Sequence, residues 1–257
     1  MKNPLLRSAL AAGLLIAALA GAEAQTAAPV QAKNVVLVHG AWADGSSWAK
    51  VIPYLQAAGL KVISVQNPLT SVADDVAATK RVLAMQDGPT VLVGHSYAGT
   101  VVSDAGADAK VTALVYVAAR APDAGEDFVA LAAKFPTMPV RAGVENHDGF
   151  AYLSEDAFLK YFADGVPAEA AKVLYAAQQP ISTTLFAGKT SAAAWHTKPS
   201  WYAVSKNDNT TSPDLERFLA KRMNATTVEL DSGHLSLVTH PKEIADMILA
   251  AAGKKGS

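Results

Sequence analysis

Apolar residues gather into short runs along the chain, each closed by glycine or polar residues and followed by a segment with helical spacing. Runs at 34–38, 61–65, 90–94, 111–117, 200–205 and 226–230 predict strands. They are nearly all apolar rather than alternating, the pattern of strands covered by helices on both faces. Helical spacing falls between them, near 47–58, 72–86, 97–106, 155–163, 167–178, 212–223 and 241–252. This alternation predicts parallel β-α-β units with right-handed crossovers. The expected class is α/β, a mainly parallel six-stranded sheet flanked by helices. The rhythm breaks between residues 121 and 199, where only loops and short helical segments are expected.

The first residues read differently. Lys2 and Arg7 give a positive start, Ser8 to Gly21 is uncharged and mostly Ala and Leu, and Ala22-Glu23-Ala24 offers a small-residue cleavage site. This pattern predicts a signal peptide over residues 1–24 and an exported protein, periplasmic or secreted. The apolar run is short for a span of about 20 residues, so no stable membrane anchor is expected after cleavage. Residues 25–257 then suit one domain with a substantial core.

Composition narrows the chemistry. The 257 residues contain 22 Lys and Arg against 23 Asp and Glu, a net charge of −1, and no cysteine. That balance provides no electrostatic footprint for nucleic acid or an anionic membrane. Without cysteine, an exported chain holds together by packing alone, and a thiol nucleophile or a cysteine-ligated zinc is excluded. No dinucleotide fingerprint, phosphate loop or metal-ligand pair occurs, so no cofactor is expected.

The candidate catalytic residues all lie just past predicted strand ends, the edge where open α/β sheets build their sites. Gly94-His95-Ser96-Tyr97-Ala98-Gly99 joins a strand to a helix through small residues, the context of a nucleophile elbow. Alanine stands where many hydrolases carry the second glycine. Ser96 is the expected nucleophile, with helix capping as its ordinary alternative role. His234, in the turn Ser232-Gly233-His234 after the last strand, is the expected general base. Asp208, after the strand at 200–205, is the expected orienting acid. Aspartate there also commonly makes a turn. Asp123 is kept in reserve for that role, and Asp231 reads as a turn residue.

Several motifs in this order carry a resemblance to a family. V-L-V-H-G-A-W at 36–42, V-G-H-S-Y-A-G at 93–99, P-D-L-E-R-F-L-A-K-R-M at 213–223 and S-G-H-L-S-L-V-T-H-P at 232–241 span nearly the whole exported portion. The chain resembles the small α/β-hydrolases of the branch that includes plant methylesterases, hydroxynitrile lyases and many bacterial esterases. The resemblance implies the triad order Ser96, Asp208, His234 and a helical cap over about 121–199 that roofs the pocket. It implies an oxyanion hole from the backbone N–H groups of Ala41 and Tyr97, and a structural His39. Some aromatic residues of the cap, among them Phe128, Phe158, Phe162 and Phe186, are expected to line the pocket. The hydroxynitrile lyases carry a threonine where this chain has Gly40 and a lysine where it has Leu235. Ester hydrolysis is therefore expected in preference to cyanohydrin cleavage.

The expected activity is a cofactor-free carboxylesterase acting through an acyl-enzyme on small, apolar esters or lactones. The scaffold also hosts amidases, lactonases, perhydrolases and C–C hydrolases. A non-catalytic binding protein for a small ligand is the alternative from another class, since fold does not fix function.

Overall fold

The computed structural model describes residues 31–254, so the leader expected at 1–24 lies outside the described residues. The first half alternates strand and helix: β1 (Asn34–Val38), α1 (Ile52–Ala57), β2 (Lys61–Val65), α2 (Val72–Ala84), β3 (Thr90–His95), α3 (Ala98–Ala105) and β4 (Val111–Val117). An intervening segment carries α4 (Phe128–Ala132), β5 (Val144–His147), β6 (Phe150–Leu153), the single turn α5 (Glu155–Ala157), α6 (Ala168–Ala176) and β7 (Ile181–Ser182). The alternation then resumes with β8 (Ser200–Ser205), α7 (Pro213–Arg222), β9 (Thr226–Leu230), α8 (Ser236–Thr239) and α9 (Pro241–Ala251). Among the described residues no helix is long and apolar enough to cross a membrane.

The main sheet has the order β2-β1-β3-β4-β8-β9, and every pairing in it is parallel. Its central strands are the driest: β1 and β3 are buried at every position. The edge strand β9 is mostly exposed. From β1 the chain steps outward to β2, then returns across to β3 on the other side. Right-handed crossovers in opposite directions place α1 and α2 on opposite faces of the sheet. Helix α9 packs with α1, and α3 packs with α2. The reversal between β1 and β3 opens a crevice beyond their carboxyl ends, where α/β sheets of this kind bind ligands. Both the 39–42 turn and Ser96 emerge there.

The helix expected over 155–163 is one α turn followed by a π-helical stretch, Phe158–Phe162. The segment between β4 and β8 also departs from expectation, because it contains an antiparallel three-stranded sheet, β5-β6-β7. A two-residue hairpin at Asp148 and Gly149, both at positive φ (48° and 83°), joins β5 to β6. Asp-Gly is a strong signal for such a turn. It is obscured in the sequence because β5 is largely exposed and its residues Val144-Glu145-Asn146-His147 carry little apolar character. The cap is thus mixed helix and sheet.

Candidate active site

Ser96 stands at the junction of β3 and α3 with φ +55°, a conformation rarely adopted outside glycine. Three backbone hydrogen bonds hold it there. Its N–H donates to Val117 (3.0 Å), and its carbonyl accepts from Gly99 (3.1 Å) and Arg120 (3.0 Å). Two glycines make the turn possible. A Cβ on Gly94 would lie 2.7 Å from Val102, and one on Gly99 would lie 1.8 Å from the Arg120 carbonyl oxygen. The second glycine of the elbow therefore acts at position 99, where α3 passes against the exit of β4.

His234 follows β9 and is fully buried, with its ring 5.2 Å from that of Phe162. Its Nε2 lies 2.9 Å from Ser96 Oγ, and its Nδ1 lies 2.6 Å from Asp208 Oδ2. A carboxylate only accepts, so Nδ1 carries the proton and Nε2 is left with its lone pair facing the hydroxyl. The remaining oxygen of Asp208 accepts the N–H groups of Thr210 (2.6 Å) and Thr211 (2.8 Å). The turn after β8 thus fixes the carboxylate, and the carboxylate fixes the imidazole. Behind it, fully buried Glu216 accepts the N–H of Ser205 at 2.9 Å. Burial first, and then the nearby charge of Asp208, push the Glu216 carboxyl well above its usual range.

The sequence profile of the alpha/beta hydrolase family matches residues 35–247. The chain belongs to this family. Among proteins with curated functions none is significantly similar in sequence. Among solved structures, polyneuridine aldehyde esterase superposes with a TM-score of 0.73 at 19% identity, over 86% of this chain and 99% of that one. A pyrethroid hydrolase from Sphingobium faniae gives 0.70 at 19% identity, over 86% and 97%. A methylesterase from Arabidopsis gives 0.68 at 20% identity, over 85% and 98%. At these identities the likeness is one of fold.

The other residues considered from this hydrolase's sequence find distinct places. Ala41 is buried in the turn after β1 and Tyr97 is buried at the start of α3. A Cβ on Gly40 would lie 3.0 Å from Ser96 Cβ, so that turn reaches the elbow. Among the described residues, neither the Ala41 nor the Tyr97 N–H is bonded to another protein group. His39 donates from Nδ1 to the Gly40 carbonyl (2.9 Å) and accepts the Asn67 N–H on Nε2 (2.9 Å), with burial lowering its pKa. Asp123 faces His196 at 3.1 Å, away from the imidazole that Asp208 holds. Asp231 accepts from the Asn207 amide at 2.9 Å on the surface. Among the described residues no cluster of three His, Asp or Glu is disposed to hold a metal.

Ser96 opens into a cavity of about 250 Å³ lined by Trp42, Tyr97, Ala151, Ile181 and Phe186 with several polar groups, Arg120 and Arg141 among them. Of the cap aromatics, Phe186 lines this cavity and Phe128 an adjoining one, whereas Phe158 and Phe162 flank a small hollow beside Trp42. The arginines were not evident from the sequence. Arg120 sits three residues past β4, in V-A-A-R-A-P-D, and its position at a strand exit was the only available signal.

Proposed function

We propose that this alpha/beta hydrolase is a serine esterase that cleaves small carboxylic esters or lactones through an acyl-enzyme on Ser96. The unbroken chain from Ser96 Oγ through His234 to Asp208, at 2.9 and 2.6 Å, carries this reading. In it, His234 takes the Ser96 proton as the hydroxyl attacks the carbonyl carbon, and the resulting imidazolium is stabilised by Asp208. The backbone N–H groups of Ala41 and Tyr97 receive the developing oxyanion. His234 then protonates the leaving alcohol, and a water activated by the same imidazole releases the acid. Nothing in this cycle calls on a cofactor. Structural neighbours described as an esterase, a methylesterase and a hydrolase support the reaction class.

The test is turnover of a p-nitrophenyl ester chain-length series by the wild type and Ser96→Ala, together with fluorophosphonate labelling. Turnover and labelling that both vanish in Ser96→Ala are the expected result. Full activity in a correctly folded Ser96→Ala protein excludes the reading. We further propose export through the leader at 1–24. N-terminal sequencing of the protein recovered outside the cytoplasm should begin at Gln25.

A further inference from the structure

Among the described residues two cations, Arg120 and Arg141, line both the cavity at Ser96 and the adjoining cavity of about 190 Å³. The backbone of Arg120 ties it to Ser96, because its N–H donates to the Ser96 carbonyl. The guanidinium lies over the ring of Phe186 at 4.2 Å and that of Phe128 at 5.1 Å. One nitrogen donates to the Phe186 carbonyl at 3.3 Å. A guanidinium has five N–H donors, so most remain for something else. Ring faces and one neutral carbonyl do not cancel a charge that burial has drawn away from water.

Among the described residues no acid forms an ion pair with it either. The acids on the same loop are committed elsewhere: Asp123 faces His196, and Glu126 pairs with Arg222 at 2.8 Å. Asp127 caps α4 by accepting the Ala130 N–H. Among the described residues, no Asp or Glu lines either cavity. The second cation, Arg141, makes no ion pair among the described residues and adds to the positive field. Burial and the presence of Arg141 lower the Arg120 pKa to about 10, which leaves it charged at neutral pH. Thr210 and Thr211 line both cavities beside the two arginines.

We propose that Arg120, assisted by Arg141, binds a carboxylate carried by the substrate, so that the ester or lactone cleaved at Ser96 is already an anion. This rests on the esterase reading and narrows its substrate class from small neutral esters to half-esters of dicarboxylic acids and compounds like them. A planar carboxylate matches the fork of a guanidinium, and a partly desolvated pair is worth more than one in water. The carboxylate marks the second acid function; the ester carbonyl remains the group attacked.

The test compares kcat/KM for monomethyl glutarate and dimethyl glutarate, which differ by one charge and one methyl group. Wild type, Arg120→Met and Arg120→Lys are compared. The half-ester is expected to be preferred by at least about tenfold in wild type. That ratio should collapse toward one in Arg120→Met and be partly retained in Arg120→Lys. A purely structural arginine would lower both rates together and leave the ratio unchanged. A second measurement, calorimetric binding of glutarate to the same three proteins, does not depend on hydrolysis. Glutarate binding lost in Arg120→Met but kept in Arg120→Lys supports the anion subsite even if neither ester is turned over. In that case the esterase reading fails alone. Hydrolysis of both esters with a flat ratio, and glutarate binding absent or insensitive to Arg120, overturns the anion subsite and leaves the esterase reading standing.

Discussion

His95 Nε2–H donates to the backbone carbonyl of His234 at 3.0 Å, with the two rings 4.7 Å apart. A carbonyl only accepts, so the donor must be the ring nitrogen of His95. The residue before Ser96 therefore holds the backbone of His234, whose ring faces Ser96. Burial, and then the proximity of His234, press the His95 pKa well below its usual value, so it stays neutral. A neutral neighbour leaves room for the positive charge that His234 is proposed to acquire.

Removing this tie should misplace the imidazole without touching the substrate. His95→Ala is expected to lower kcat on p-nitrophenyl acetate about tenfold to a hundredfold with little change in KM. His95→Gln, which keeps a donor, should recover part of the loss. Equal kcat in His95→Ala and wild type would show that the carbonyl contact does not position His234.

Triad substitutions should behave as a unit. Ser96→Ala and His234→Ala are each expected to reduce kcat by roughly 10⁴- to 10⁶-fold, with the double variant no worse than either single one. Asp208→Asn should also be strongly impaired, because the amide no longer favours the tautomer with the Nδ1 proton. Single-turnover kinetics on the two alanine variants and their double would reveal multiplicative losses if the residues acted independently.

Backbone clearance at the elbow predicts an asymmetry between adjacent small residues. Gly99→Ala drives a methyl group into the Arg120 carbonyl, with a built separation of 1.8 Å, and the atom it meets is backbone rather than the end of a flexible side chain. It should cost about 3 kcal/mol or more in urea denaturation. Ala98→Gly, at the first residue of α3, should cost only about 0.5–1 kcal/mol.

A buried carboxyl beneath the elbow links stability to pH. Asp75 accepts the Tyr97 hydroxyl and the Leu69 N–H, each at 2.9 Å, and burial raises its pKa to about 6. An unfolded aspartate titrates near 3.9. Between these values the folded protein keeps a proton that the unfolded chain has released. Its contribution to stability therefore falls as pH rises from about 4 to about 6 and is level above that. The difference between wild type and Asp75→Asn should change by on the order of 3 kcal/mol across this window. Urea midpoints measured from pH 4 to pH 8 would show parallel curves if Asp75 were not the titrating group.

Much of this molecule was legible before folding because its signals are local. Strand runs at 34–38 and 226–230 and helical spacing near 72–86 rest on side-chain period, and the observed elements match them closely. The hairpin at Asp148-Gly149 was missed because its first strand, β5, is largely exposed and lacks an apolar stripe. For the acid position the sequence left Asp208 and Asp123 open. Both follow strand exits and both meet an imidazole, and only the folded chain shows that Asp208 meets the one facing Ser96 while Asp123 meets His196.

The sequence by itself determined the elements, the small residues of the elbow and the order in which serine, aspartate and histidine follow strand ends. Tertiary structure decided what those residues meet. The strand order β2-β1-β3-β4-β8-β9 brings the turn after β1 against Ser96 and sets Ser96 beside a histidine 138 positions away. It also decided that Asp123 and Glu126 are occupied while Arg120 is left facing the cavity. The physical reason is range. Backbone preference and apolar period act over a few residues, whereas charge pairing and desolvation depend on neighbours that only the closed fold supplies.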